Sequence, residues 1–382
     1  MSTPMRLVVL GLSVTSSWGN GHATTYRGLL RGLARLGYRT LFLERNVPWY
    51  EENRDTPRPI GCEVGLYQTL AELENVYADE VRNADAVIIG SYVPDGVEVA
   101  RWVLSNARGA TFFYDIDTPV TLARLEAGDT EYLAADSIPK FDAYLSFTGG
   151  PTLDFIEREL GARRALPLFC SAEPDWLAPV DVAPSREMGY LGTYSEDRQP
   201  GLDELLLEPA RRLPAKPFVV GGPCYPKELV WPDNIERMEH VAAREHAEFY
   251  CSQRYTLNVT RADMRRLGYS PSVRLFEAAA CGVPVISDRW PGIQDFFEPD
   301  GEILLASTAE EVLGYLSGIP EDRRKAIGDR ARKRFLKEHT GARRAAQLDG
   351  YVKAARSAAR AAARGEPFVS HRPLTMPESA GE

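Results

Sequence analysis

The residues best placed to do chemistry lie in 268–288, GYSPSVRLFEAAACGVPVISD. Gly268 and Pro271 shape a turn, Ser270 or Ser272 can cap the helix that follows, and Glu277 and Arg274 lie inside that otherwise apolar helix. Free N–H groups and the positive end of the dipole at a helix start make a ready diphosphate site. Arg274, one turn in, can add charge-assisted bonds. A carboxylate on the packed face of LFEAAACG is costly unless it is ion-paired or bonded to hydroxyls. A ribose diol offers two such hydroxyls, so Glu277 reads as a ribose ligand; the alternative is a Glu paired within the fold. Ala278, Ala279, Ala280 and Gly282 let the helix sit close to its strand, and Cys281 is a small packing residue.

A second group follows the first apolar run, in SVTSSWGNGHATTYR at 13–27. Gly19 and Gly21 free the backbone, Asn20 stands between them, and His22 sits at a helix start. His22 can take a proton from an attacking hydroxyl, or it can position substrate, or its bonds can be satisfied internally. A third group is Asp115-Ile-Asp117 ahead of Thr118-Pro119. Period-two geometry puts both carboxylates on one side, for acceptor binding or base work, while Asp117 alone would also serve as an N-cap. Glu44 and Arg45 end another apolar run and can line a cleft.

These groups need a frame, and the sequence supplies an α/β one. Apolar runs at 6–12, 40–43, 86–90, 110–114, 143–147 and 166–169 read as buried parallel strands, with a helix over 24–36 and Gly37 closing it. SAEPDWLAPVDVAPSR, 171–186, has no period and reads as a linker. Strands then recur at 188–191, 218–220, 256–259, 283–287 and 302–305, with helices over 203–213, 242–250 and 272–281. The expectation is a Rossmann-like domain over 1–170, the linker, a second doubly wound domain over 187–340, a helix over 341–364 that can pack back on the first domain, and a loose tail over 365–382. Two such domains face a cleft, with ligands beyond the carboxyl ends of the strands.

Composition narrows the function. The 382 residues are 44% hydrophobic and 26% charged, with a net charge of −9. That balance suits a globular chain and gives no basic field for nucleic acid. No apolar run approaches the roughly 20 residues a transmembrane helix needs, and the first run reads as a strand rather than a signal peptide. Five widely spaced cysteines without a C-x-x-C point to a reducing cytoplasm rather than a disulfide or zinc framework. No G-x-G-x-x-G follows the first strand, which disfavours a dinucleotide oxidoreductase.

The EAAACGVPVI unit resembles the C-terminal domain of GT-B glycosyltransferases, especially family 4-like and spore-maturation CgeB-like enzymes. The likeness extends in order over GYLGTYSEDRQ (189–199), FVVGG (218–222), HVAAREHAEFYCSQRYTLNVT (240–260) and WPGIQDFFEPDGEILL (290–305). It implies transfer of a sugar from a nucleotide-diphosphate sugar to an acceptor hydroxyl. Glu277 would hold the donor ribose, Ser272, Arg274 and Arg198 the diphosphate beside the Gly192 turn, with Ser270 also on the donor, and 240–260 the base. The acceptor could be a glycan, a lipid-linked or protein group, or a small molecule. GT-B enzymes usually work without a metal or other cofactor, so none is expected. The family 4 pattern often has a second Glu eight residues before Glu277; here Tyr269 stands there. The alternatives are a 2-epimerase or phosphorylase on the same architecture and a non-catalytic surface or spore-coat protein with a degenerate GT-B fold. No lysine sits in a context suited to a phosphorylase's pyridoxal phosphate.

Overall fold

Every strand pairing in the computed structural model, which describes residues 4–18 and 20–364, is parallel. The first sheet has strands β1 (Arg6–Gly11), β2 (Arg39–Arg45), β3 (Glu63–Tyr67), β4 (Ala86–Gly90), β5 (Ala110–Asp115), β6 (Ala143–Ser146) and β7 (Ala165–Pro167), in spatial order β3-β2-β1-β4-β5-β6-β7. The second has β8 (Arg186–Leu191), β9 (Phe218–Gly221), β10 (Ile235–Met238), β11 (Gln253–Asn258), β12 (Val285–Ser287) and β13 (Leu304–Leu305), in order β10-β9-β8-β11-β12-β13. Both orders reverse beside the first strand of their domain, so each sheet opens a crevice at the carboxyl ends of its central strands.

β1 shows why the apolar runs become strands. Leu7 and Val9 enter one buried cluster and Val8 and Leu10 another, so both faces are covered and the run is continuous rather than alternating. The cluster holding Leu7 continues through Phe147, Leu168 and Cys170 to Phe276 and Phe296, and so joins the two domains at the base of the cleft.

Five helices matter for the site: α1 (His22–Arg35), α2 (Thr118–Glu126), α3 (Ala262–Leu267), α4 (Val273–Ala280) and the last one, α5 (Gly341–Ala363). Thr340 caps α5, its hydroxyl accepting from Arg343 N, and pairs with Ala172 in an isolated parallel bridge. From there α5 runs against α1, so close that a Cβ on Gly32 would stand 2.6 Å from that of Ala345. Leu348 and Val352 are fully buried in this contact.

β3 and β10, which the apolar runs do not reveal, are both sheet edges. The segment 365–382, read from sequence as a loose tail, lies outside the described residues, as does Gly19 of the cleft loop.

Candidate functional site

A cleft of about 410 Å³ opens between the sheets, lined from the first domain by Asn20, Gly21, His22 and Asp117 and from the second by Gly192, Arg198, Ser272, Arg274 and Glu277.

On the second domain, the strand ends build the wall. Gly192 follows β8 and Gly222 follows β9, and Gly192 N donates to Gly221 O at 2.9 Å. Ser272 is the N-cap of α4, its hydroxyl accepting from Arg274 N at 3.3 Å. Arg274 is buried; its Nε donates to Leu191 O at 2.5 Å, its Nη1 to Asn258 Oδ1 at 2.8 Å, and its guanidinium lies 4.5 Å over the Tyr190 ring. Its Nη2 lies toward Gly192, 2.8 Å from where a Cβ there would sit. Arg198 donates from Nη2 to Thr193 O at 2.6 Å, while its buried Nε has no hydrogen-bond partner among the described residues. Burial, and then the nearby guanidiniums of Arg274 and Arg261, depress its pKa.

Glu277 is buried, and the fold already supplies it with partners. Tyr250 donates its hydroxyl to Oε2 at 2.8 Å, and His246 Nδ1 faces Oε1 at 3.7 Å. Burial alone would raise the Glu277 pKa, but His246, Tyr250 and Arg274 together hold it below the ordinary value. Burial lowers the His246 pKa, yet the Glu277 charge facing it outweighs that and raises the imidazole above its usual range. The site therefore keeps an ionised carboxylate with coordination capacity left.

On the first domain, Asn20 fixes the loop. Its Nδ2 donates to Ser13 O at 3.1 Å and Ser16 O at 3.2 Å, and its Oδ1 accepts from His22 N at 3.1 Å. His22 is the first residue of α1. Its ring stacks on Tyr92 with centroids 5.8 Å apart and an interplanar angle of 19°, and its buried Nδ1 has no hydrogen-bond partner among the described residues. Burial lowers its pKa against the opposing Asp117 charge, which leaves the imidazole neutral at pH 7. Tyr92 holds a left-handed backbone, φ 64°, and donates its hydroxyl to Asp117 Oδ2 at 2.8 Å. Strain at a non-glycine residue of this kind persists where surrounding contacts fix it.

Four sequence expectations need correction. Asp115 does not reach the cleft: it is fully buried, accepting from Thr121 Oγ1 at 2.7 Å, from the Tyr144 hydroxyl and from Asp117 N at 3.3 Å. β5 ends at Asp115, so period-two geometry does not extend to Asp117. Asp117 occupies the N-cap position of α2, but its side chain makes no capping bond and faces the cleft instead. Ser270 is buried and accepts from Thr148 Oγ1 at 3.1 Å, tying the turn before α4 to the first domain. Glu44 accepts from Val14 N at 2.8 Å and from Thr15 N and Oγ1, supporting the loop after β1 from beneath, while Arg45 pairs with Asp95 at 2.6 Å; neither lines the cleft.

Sequence reasoning passed over Tyr92, His246, Tyr250 and Arg261. The spacing of His246 and Tyr250, i and i+4, places them on one helix face and was a legible signal. Arg261 follows the carboxyl end of β11, where ligands of such sheets bind. Among the described residues no group of three or more His, Cys, Asp and Glu is arranged to hold a metal ion, and no helix is long and apolar enough to cross a membrane.

Residues 198–350 match the family described as glycosyl transferase-like. No curated protein sequence matches the chain. Solved structures match it nearly end to end at low identity. Sucrose-phosphate synthase from Thermosynechococcus elongatus has a TM-score of 0.66 at 13% identity, covering 93% of this chain and 100% of its own. The Anabaena protein HepE bound to UDP and glucose has 0.65 at 12%, covering 91% and 99%. An alpha-glucosyltransferase bound to UDP-glucose and DNA with an abasic site has 0.67 at 12%, covering 92% and 100%. Over residues 198–350 the sequence is thus glycosyl transferase-like, and the whole chain has the two-domain GT-B fold of glycosyltransferases.

Proposed function

We propose that the chain is a glycosyltransferase that moves a hexosyl group from a nucleoside-diphosphate sugar on the second domain to an acceptor hydroxyl on the first. The observation that carries this reading is one cavity holding Arg198, Arg274, the Ser272 cap and an ionised Glu277 on one wall and His22 with Asp117 on the other. Arg198 and Arg274, whose Nη2 lies toward Gly192, meet the diphosphate there with the N–H groups at the start of α4, and they stabilise the leaving phosphate as the glycosidic bond breaks. Glu277 accepts from the ribose hydroxyls. His22, neutral at pH 7, takes the acceptor proton, and Asp117 stabilises the imidazolium that forms. Charge balance on the diphosphate comes from guanidiniums, so the reaction proceeds without a metal.

The resemblance of the donor segment to CgeB-like enzymes supports reading the chain as one of that subgroup, working in the cytoplasm on a glycan, lipid-linked, protein or small-molecule acceptor. A net charge of −9 disfavours nucleic acid as the acceptor. UDP occurs in the bound state of the neighbours HepE and alpha-glucosyltransferase, which makes it the first nucleotide to test. The full chain is melted with UDP, GDP and dTDP and their glucose conjugates, and incubated with radiolabelled sugar donor and an acceptor panel. Thermal stabilisation by one nucleotide family and label transferred to an acceptor are expected. Stabilisation by none of them would sink the donor site, and release of free nucleotide without a labelled acceptor product would count against transfer.

A further inference from the structure

Three guanidiniums converge on the second-domain wall of the cleft, Arg198, Arg261 and Arg274. Two are committed by hydrogen bonds: Arg198 to Thr193 O, Arg274 to Leu191 O and Asn258 Oδ1. Arg261 differs. Among the described residues it makes only two long ion pairs, Nη1 to Asp117 Oδ2 of the other domain at 3.6 Å and Nε to Asp197 Oδ2 at 4.0 Å, and its side chain is 44% exposed. Each carboxylate also serves other donors. Asp197 already accepts from Ala262 N at 2.8 Å and from the Ser195 hydroxyl, and the Asp117 oxygen facing Arg261 also accepts from Tyr92. Ion pairs at such distances, with the guanidinium partly in solvent, contribute little. A loosely held cation beside two like charges is an arrangement completed by a polyanion, and a diphosphate carries charge enough for all three.

We propose that Arg261 is a ligand of the donor diphosphate which the empty protein holds on Asp117, so that donor and Asp117 compete for one guanidinium. This rests on the nucleotide-sugar reading of the cleft and adds a residue and a coupling to it. When the diphosphate arrives, Arg261 swings from the first domain to the phosphate, and the Asp117 oxygen it leaves faces the acceptor side of the cleft. By linkage, whatever stabilises the Asp117–Arg261 pair weakens donor binding.

The test is a double-mutant cycle on the full chain, read as the dissociation constant of the best bound of UDP, GDP and dTDP. Arg261→Ala is expected to weaken binding about tenfold or more. Asp117→Asn is expected to tighten it, about two- to five-fold, because the competitor is gone. The double variant should bind like Arg261→Ala alone, since Asp117 acts only through Arg261. A pair that merely braces the domains predicts the opposite sign for Asp117→Asn, with both single variants weaker. That result, or wild-type affinity in Arg261→Ala, overturns the proposal while leaving the donor site standing. Should Arg261→Ala fail to fold, the direction of the Asp117→Asn change decides alone. A wild-type chain that binds none of the three nucleotides removes the donor-site reading itself, and this proposal with it.

Discussion

The Tyr250 hydroxyl donates to Glu277 Oε2 at 2.8 Å across the seam between the helix His246–Cys251 and α4, so the one acid inside α4 is charged and oriented before any ligand arrives. Glu277 then has two separable jobs. Glu277→Gln keeps an acceptor for Tyr250 and loses the charge; Glu277→Ala leaves a buried Tyr250 hydroxyl without a partner, a cost of about 1–3 kcal/mol. The Gln variant should melt near wild type yet lose most of the stabilisation given by saturating nucleotide, and the Ala variant should lose both. Melting curves with and without UDP decide it. A Gln variant that nucleotide stabilises as well as wild type would make Glu277 purely structural.

Glu277 and His246 together set a pH window. Glu277 has its folded pKa below the ordinary 4.5, so its contribution is present above 4.5 and is lost as pH falls through the depressed value. His246 has its folded pKa raised above 6.5, so its contribution is complete below 6.5 and is lost as pH rises through the raised value. The stability deficit of His246→Gln should therefore be largest between about pH 4.5 and 6.5 and shrink toward alkaline pH. Melting temperatures of both proteins from pH 4 to 9 test the shape; a deficit growing with pH would contradict it.

His22 carries the opposite shift. Burial lowers its pKa from 6.5, so the acid limb of kcat/KM, if this imidazole is the base, falls below pH 6.5. The Asp117 charge opposes that shift, so Asp117→Asn should move the limb lower still. A pH–rate profile on both proteins reads this directly. An acid limb above pH 6.5 in the wild type, or one that rises in Asp117→Asn, would assign the proton to another group.

Asp115 and Asp117, two residues apart, should separate cleanly. The Asp115 pKa is pushed up to about 6, first by burial, against bonds from Tyr144 and Thr121. Asp115→Ala strands the Tyr144 hydroxyl, while Thr121 keeps Tyr132, and should cost about 2 kcal/mol, roughly 5 °C for a domain of this size, with kcat/KM below the melting point unchanged. Asp117→Asn should scarcely move the melting point and should change activity. The two assays exchange their outcomes if Asp115 is the working carboxylate.

What the sequence made legible was the part that local pattern encodes. β4 reads as AVIIG because both faces are buried, and α4 announces itself through a Ser cap and a run of small residues. β3 and β10 escaped because exposed and polar positions break any apolar run in them: EVGLY alternates with Leu66 exposed, and only Ile235 of IERM is buried. The site shows the same division. Glu277 stood out as a charge where packing forbids one, but its partners lie 27 and 31 residues earlier. The burial of Asp115 depends on Tyr144 from the neighbouring strand β6, which no local spacing reports. Arg261 was invisible for a different reason, since an arginine before a short helix is an ordinary surface residue until the other domain brings Asp117 to it.

Gly222 offers the sharpest test that the strand ends themselves are the donor wall. Its φ is 134°, and a Cβ there would stand 2.1 Å from Gly192 O and 2.5 Å from Gly192 C, backbone atoms that no side-chain rotation can clear. Gly222→Ala must push Gly192 and the β8 end away from Arg274 Nη2, where the diphosphate is proposed to sit. Loss of about 2 kcal/mol or more in stability and about tenfold in nucleotide affinity is expected. Gly37→Ala is the control: its φ of 87° is equally unfavourable to a side chain, but nothing lies within 4 Å of the added carbon and the position is remote from the cleft, at the end of α1. It should cost about 1 kcal/mol of backbone strain and leave nucleotide binding intact. Melting and UDP titration of the two variants side by side separate generic strain from damage to the wall, because only displacement of Gly192 predicts an affinity loss confined to Gly222→Ala.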